Sequence, residues 1–149
     1  MSHSFDVVVI GGGPGGYVAA IRGAQLGLRV ALVEQEKVGG TCLHRGCIPT
    51  KAYLRSAELL HTLRQSREFG VLAEGAGLDF AAVRSRKDKI VNNLHKGIQG
   101  LLKKNGVAVF QGRGALVPPS IFSPNGLVAV TAGDQQELLE FGKIIIATG

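Results

Sequence analysis

Tryptophan is absent from this sequence, methionine occurs once, cysteine twice, and aromatic residues make up only 5%. So little aromatic surface argues against a protein that stacks nucleic-acid bases. No apolar run approaches the roughly 20 residues that a membrane-spanning helix needs. Residues 1–10 show no basic stretch followed by a long apolar run, so no secretory leader is visible. Two cysteines are too few to staple a secreted scaffold of 149 residues. Their scarcity favours a reducing compartment, the cytoplasm, and thiols with a chemical task. Charged residues are also sparse at 19%, while 45% of the chain is apolar, which excludes disorder. What the sequence has in excess is glycine, 22 residues, about twice ordinary usage. No glycine recurs at every third position, so collagen is excluded. The length suits one ordinary domain with a core of its own.

The net charge of +6 is local. Residues 84–104 hold seven basic side chains and one acidic, and the rest of the chain balances to zero. Neither base-stacking aromatics nor a nucleic-acid motif accompanies that segment, so it reads as the solvated face of a helix, with no nucleic-acid partner.

The order of elements is legible from periodicity. Phe5–Ile10 is a valine-rich apolar run, a buried strand. A glycine cluster follows, then Tyr17–Leu26 at helical spacing, with Gly27 as its stop. Leu28–Val33 is a second strand ending at Glu34. Strand, helix and strand in about 30 residues make a βαβ unit with parallel strands. A loop from Val38 to Cys47 leads to a helix over Ile48–Phe69, with an apolar stripe at Ala52, Leu59, Leu60 and Leu63. Asp79 is a good N-cap for a long helix whose apolar row is Phe80, Val83, Ile90, Leu94, Ile98 and Leu101. Lys89, Lys96 and Lys103 lie on another face, and the two helices should pack antiparallel. Short β runs follow at Val107–Phe110, Ala115–Val117 and Leu127–Thr131, punctuated at Pro118-Pro119 and Pro124-Asn125-Gly126. Lys143–Ala147 is a final apolar strand. The fold class is therefore α/β, a Rossmann-like parallel sheet with an antiparallel helix pair and a small β-meander. Ending on Thr148-Gly149, just past a buried-looking strand, suggests a chain that continues.

Two motifs carry chemistry. Gly11-Gly12-Gly13-Pro14-Gly15-Gly16 fits G-x-G-x-x-G at Gly11, Gly13 and Gly16. In that motif one glycine makes a tight turn, the next lets backbone approach a pyrophosphate, and the third lets helix pack on strand. Alone it describes many flexible turns. Here it follows a strand, opens a helix, and is succeeded by Glu34, an acceptor for a ribose 2′-OH. The context points to dinucleotide binding.

The second motif is Gly39-Gly40-Thr41-Cys42-Leu43-His44-Arg45-Gly46-Cys47-Ile48-Pro49-Thr50-Lys51. In a continuous α-helix two residues five apart have Cα atoms roughly 8–9 Å apart, beyond the ~7 Å a disulfide tolerates. A break at Gly46 before Pro49 would relax that separation. A thiol at a helix start near Arg45 and Lys51 is expected to have a lowered pKa. Three readings stay open from the residues alone: a redox pair, two inert buried thiols, or a zinc site completed by His44 and His61, whose spacing is not a usual zinc pattern. His3, His61 and His95 read as solvated.

With the glycine fingerprint and Glu34, the Gly39–Lys51 stretch resembles the pyridine nucleotide–disulfide oxidoreductases, flavoproteins with a redox disulfide beside the flavin. The run Cys47–Lys51, Ser56-Ala57-Glu58, Arg86–Val91, Leu101–Asn105 and the closing Ile144–Gly149 are most similar to members that oxidise dihydrolipoamide in 2-oxo acid dehydrogenase complexes. The likeness spans essentially the whole chain.

The resemblance implies FAD as cofactor, NAD as acceptor in a full-length enzyme, lipoyl groups of such a complex as partners, and a homodimer. It implies a Cys42–Cys47 disulfide, with Cys42 meeting the substrate dithiol and Cys47 facing the flavin. Lys51 would steady the reduced flavin. Gly11, Gly13, Pro14, Gly15 and Gly16 would hold the FAD pyrophosphate, Glu34 the adenosine ribose, and Gly114 with Ala115 the adenine. Gln35, Gly39, Gly40, Thr41, Thr148 and Gly149 are further cofactor positions. His44 and Arg45 depart from the Asn and apolar residue commoner in the family, making this loop more basic. The family's catalytic base and its NAD-binding and interface domains are not in these residues. Residues 1–149 then read as an incomplete N-terminal FAD-binding domain of a larger enzyme.

Overall fold

A computed structural model describes residues 3–118 and 126–149. The turn expected at Pro118-Pro119 and Pro124-Asn125-Gly126 lies largely outside these. The chain divides into two compact units, one of Met1–Gly40 with His95–Gly149 and one of Thr41–Leu94.

The first unit holds a six-stranded sheet. Its strands are β1 (His3–Ile10), β2 (Val30–Glu34), β3 (Ala108–Gln111), β4 (Arg113–Val117), β5 (Gly126–Ala132) and β6 (Gln135–Ile146). They lie in the order β3-β2-β1-β6-β5-β4. The βαβ expectation holds: β1 and β2 pair in parallel, Val7 beside Val30 and Ile10 beside Val33, joined by helix α1 (Pro14–Gln25). Gly27 ends the helix at φ +86°. The run at 107–110 is not part of the meander; β3 joins the parallel sheet beyond β2, with Glu34 beside Gln111.

The last strand is longer than its apolar tail suggests. β6 begins at Gln135 and pairs antiparallel with β5, Leu139 against Val128, before its second half pairs in parallel with β1. One strand thus welds the meander to the parallel sheet. Gly126 faces Phe141, whose ring occupies the space where a Cβ would stand.

The inner strands are apolar throughout because both faces are covered. Val30 on one face meets α1 at Gly23, and Val9 and Leu32 are fully buried. On the other face Val8, Ile10, Ala31 and Val33 form one core with Val128, Val130 and Leu139. Burying each such valine or leucine contributes about 1.5–3 kcal/mol.

The second unit contains the short helix α2 (Gly40–His44), of which Gly40 lies in the first unit, the helix α3 (Cys47–Gln65) with a 3-10 turn at Ser66–Phe69, and the first turns of α4 (Phe80–Lys104). Asp79 caps α4 as expected, its Oδ1 accepting the Ala82 N–H at 3.0 Å. The antiparallel pairing also holds. Arg86 donates to the Ala52 carbonyl at 3.3 Å near the start of α3, while Leu60 and Arg64 share a cavity with Leu78 and Phe80. Tyr53 and Phe80 stack with ring centroids 6.1 Å apart, and the Lys87 ammonium stands 5.9 Å over the Tyr53 ring.

Two stripes differ from the reading of the sequence. On α3, Ala52 is buried but Leu59 and Leu63 are exposed. On α4 the buried row is Val91, Ile98 and Leu102, while Phe80, Leu94 and Leu101 are exposed. Adjacent leucines and isoleucine–valine pairs let either of two neighbouring faces look apolar, and packing picks one. Lys89, Lys96 and Lys103 are exposed, as their solvated face requires.

Candidate functional site

The first unit builds a glycine cradle at the carboxyl ends of its parallel strands. Gly11 has φ +103°, and a Cβ on it would lie 2.3 Å from the Ala147 carbonyl oxygen. The Ala147 N–H donates to the Ile10 carbonyl at 2.7 Å, so β6 closes tightly on the turn. A Cβ on Gly16 would lie 1.7 Å from the Gly11 carbonyl oxygen. That contact sets helix against strand. Gly13, by contrast, has nothing within 4 Å of a Cβ. It is the N-cap of α1, with Pro14 behind it, no side-chain cap and no acidic residue in the first turn. The helix start is therefore left with free N–H donors and its positive dipole end, the setting a phosphate needs.

Glu34, the last residue of β2, turns its carboxylate into this cradle. Its Oε2 accepts the Gly12 N–H at 2.7 Å and its Oε1 accepts the Glu36 N–H at 2.7 Å. Each oxygen keeps a lone pair for a further donor. The Gly39 N–H donates to the Gly12 carbonyl at 2.7 Å, and Gly40, at φ +58°, comes so close to Gly13 that a Cβ would be 2.8 Å from its Cα. Gly114 also reaches this end of the sheet, where a Cβ on it would lie 3.1 Å from the Ile10 side chain and 3.2 Å from that of Val33. Ala115 is exposed on β4, and Thr148 and Gly149 lie just past β6, after Ala147. The structure thus brings Gly11, Gly13, Gly16, Glu34, Gly39, Gly40, Gly114 and Thr148 to one end of one sheet. Gln35 is exposed beside them.

Thr41, Cys42, Cys47 and Lys51 belong to the second unit. The helix breaks between them at Gly46, the position where a break would relax their separation. Cys42 sits in α2, Cys47 is the first residue of α3, and Gly46 between has φ −122° and ψ −111°. A Cβ on Gly46 would come within 3.1 Å of the Thr41 carbonyl oxygen and 3.3 Å of the Cys42 Cα. Both cysteines are free thiols, Cys42 half-buried and Cys47 exposed. The neighbouring Cys47 thiol raises the Cys42 thiol above its usual range, burial adds to the rise, and the Cys47 backbone N–H and the Lys51 charge oppose it. The expected lowering therefore fails at Cys42, because the neighbouring sulfur outweighs the lysine. Two neighbouring thiols can close to a disulfide with loss of two electrons and two protons, and reopen by exchange with another dithiol.

Among the described residues no group of three or more His, Cys, Asp or Glu is placed to hold a metal ion. His95 is not solvated; it is half-buried, with Nδ1 3.0 Å from the Val38 carbonyl oxygen. No helix among them is long and apolar enough to cross a membrane. Sequence reasoning missed Gln111, whose amide nitrogen bonds the carbonyls of Gln35 and Glu36. Nothing but its place at the end of a strand beside β2 could have signalled it.

Known proteins resemble this chain over its whole length. Dihydrolipoyl dehydrogenase of Bacillus subtilis is 51% identical over 152 residues, which cover all of this chain and 32% of that protein. The mitochondrial dihydrolipoyl dehydrogenase of Pisum sativum is 46% identical, covering 99% of this chain and 29% of its own length. Among solved structures, LpdA of Mycobacterium tuberculosis superposes with a TM-score of 0.86 at 25% identity, over 99% of this chain and 32% of that one. The chain spans about a third of the length of these curated relatives. The profile of the pyridine nucleotide-disulphide oxidoreductases matches residues 5–149, and the chain belongs to that family.

Proposed function

We propose that residues 1–149 are an FAD-binding portion of a cytoplasmic, homodimeric dihydrolipoyl dehydrogenase that serves the lipoyl groups of a 2-oxo acid dehydrogenase complex. The observation that carries the cofactor assignment is steric. Gly11 and Gly16 pack backbone against backbone and Gly13 opens onto free space at an uncapped helix start, which supports the backbone N–H groups as the binding surface. A dinucleotide fits that cradle. Gly11, Gly13, Pro14, Gly15 and Gly16 would take the pyrophosphate, Glu34 the ribose hydroxyls with Gln35 beside it, and Gly114 and Ala115 the adenine. Gly39, Gly40, Thr41, Cys42, Cys47, Lys51, Thr148 and Gly149 complete the cofactor set.

The chemistry of this chain's own residues is thiol–disulfide exchange. With the Cys42–Cys47 disulfide formed, a thiolate of dihydrolipoamide attacks the Cys42 sulfur. A mixed disulfide forms and Cys47 leaves as a thiolate. The second substrate thiolate then attacks the substrate sulfur of that mixed disulfide, releasing lipoamide and returning Cys42 as a thiol. Two electrons and two protons leave the substrate; the electrons reside in the Cys42–Cys47 dithiol. When bound, FAD supplies the two-electron relay between that dithiol and NAD⁺. The Lys51 ammonium favours negative charge near the pair.

Turnover of dihydrolipoamide with NAD⁺ by the full-length protein tests this reading. The expected result is NADH formation that is lost in Cys42→Ser and Cys47→Ser. Reduction of glutathione disulfide or mercuric ion by a nicotinamide cofactor, with no lipoamide turnover, would assign a different member of the family. FAD binding with no disulfide activity would leave a non-catalytic module.

A further inference from the structure

We infer that Gln111 is a positioning residue for ribose recognition: it sets the orientation of the Glu34 carboxylate through the peptide that joins Gln35 to Glu36. This rests on the reading of Glu34 as the ribose acceptor.

The chain of contacts is short. Glu34 Oε1 is held by the Glu36 N–H at 2.7 Å. That N–H and the Gln35 carbonyl belong to one planar peptide unit, so fixing the oxygen fixes the direction of the N–H. Gln111 Nε2 donates to the Gln35 carbonyl at 3.1 Å and to the Glu36 carbonyl at 2.6 Å. An amide nitrogen has two hydrogens, one for each oxygen. Gln111 is itself fixed by register, paired with Glu34 across β3 and β2. The next residue, Gly112, donates its N–H to the Glu34 carbonyl at 2.9 Å. The strand end that carries Gln111 therefore grips Glu34 by its main chain and, through Gln111, by its side chain. The other carboxylate oxygen is held by Gly12.

An exposed glutamine at a strand end ordinarily points into water. This one instead spans to two carbonyls of the turn after β2, the same turn whose Glu36 N–H aims the carboxylate. Without Gln111 the peptide can rotate, Oε1 loses a fixed donor, and the carboxylate samples positions that no longer match a ribose diol.

The test uses the FAD-free full-length protein titrated calorimetrically with ADP and with 2′-deoxy-ADP, alongside urea unfolding. The wild type is expected to prefer ADP. In Gln111→Leu that preference should fall by about five-fold, the scale of one or two exposed hydrogen bonds, with the unfolding midpoint nearly unchanged. Gln111→Lys, which restores a donor to both carbonyls, should regain most of the preference. Gln111→Glu, which sets an acceptor against two carbonyls, should not, and it serves as the loss variant if the leucine variant fails to fold. A preference unchanged in Gln111→Leu or Gln111→Glu overturns the inference. A lysine variant as impaired as the leucine one overturns it too. Wild-type protein that binds ADP without preferring it over the deoxy form, or that binds neither, overturns instead the ribose reading of Glu34.

Discussion

Alanine at Gly16 and alanine at Gly13 should have opposite consequences, although both are glycines of one motif. A Cβ on Gly16 would lie 1.7 Å from the Gly11 carbonyl oxygen and 2.8 Å from its carbon. The first distance is about 1.5–2 Å short of ordinary contact. Neither partner can yield. The Gly11 N–H is bonded to the Val33 carbonyl at 2.8 Å, and Gly11 itself is wedged against Ala147. Overpacking usually costs about 1–3 kcal/mol. With backbone on both sides of the clash, the upper end applies, about 3 kcal/mol. At a urea dependence of about 2 kcal/mol per molar, the unfolding midpoint should drop by about 1.5 M.

Gly13→Ala meets nothing within 4 Å, and its φ of −69° suits any residue. Alanine is a poorer N-cap than glycine, but it also restricts the unfolded chain, and the two effects nearly cancel, leaving about 0.5 kcal/mol or less. Its methyl, however, would stand in the proposed pyrophosphate site, so FAD affinity should fall at least about ten-fold, or 1.4 kcal/mol. Unfolding must be followed in FAD-free protein, because ligand raises the midpoint by mass action. A Gly16→Ala midpoint within about 0.3 M of wild type would refute the steric argument, as would a Gly13→Ala protein destabilised to the same extent as Gly16→Ala.

Cys47→Ala removes the group that chiefly raises the Cys42 thiol, so the pH midpoint of Cys42 alkylation should move down; a midpoint that stays or rises counts against that cause. The Asp6 carboxyl is held below its usual range mainly by the backbone N–H of Arg29, which it accepts at 2.7 Å. Its stabilisation is therefore present above the unfolded carboxylate pKa and lost as pH falls through the depressed folded value. The gap in urea midpoint between wild type and Asp6→Asn should accordingly be open at neutral pH and close on acidification; a gap that widens in acid contradicts the sign. Leu139 is fully buried where β6 passes from antiparallel to parallel pairing. Leu139→Ala should cost about 2–5 kcal/mol in equilibrium unfolding, and a loss below about 1 kcal/mol would show that the weld between meander and sheet does not depend on it.

The βαβ unit was legible because valine-rich runs, a glycine stop and the fingerprint all agree on it. The first half of β6 was not. Gln135–Glu140 is mostly polar and exposed, with only Leu139 buried, so no alternation marks it. It is a strand because β5 offers a ladder, with Phe141 covering Gly126. The helix break between the cysteines was readable from Gly46 and Pro49, since a continuous helix keeps the sulfurs apart. The direction of the Cys42 shift was not, because it depends on which sulfur faces which. His95 was misread for a related reason: its carbonyl partner, Val38, is 57 residues away.

Gly12 shows how far the motif understates the site. In G-x-G-x-x-G it is an x, free to vary. Here its N–H must reach Glu34 Oε2 at 2.7 Å, and a Cβ on it would lie 3.0–3.2 Å from that oxygen and from the Cβ and Cγ of Glu34. A side chain at 12 would push the carboxylate aside and lengthen the bond that aims it. Glycine at this position is therefore set by an acid 22 residues away, whereas Gly11 and Gly16 are set by the backbone of the turn, and Gly13 by the proposed pyrophosphate. Three adjacent glycines answer three separate demands. That is why the run is unbroken, and why replacing any one of them should fail in its own way.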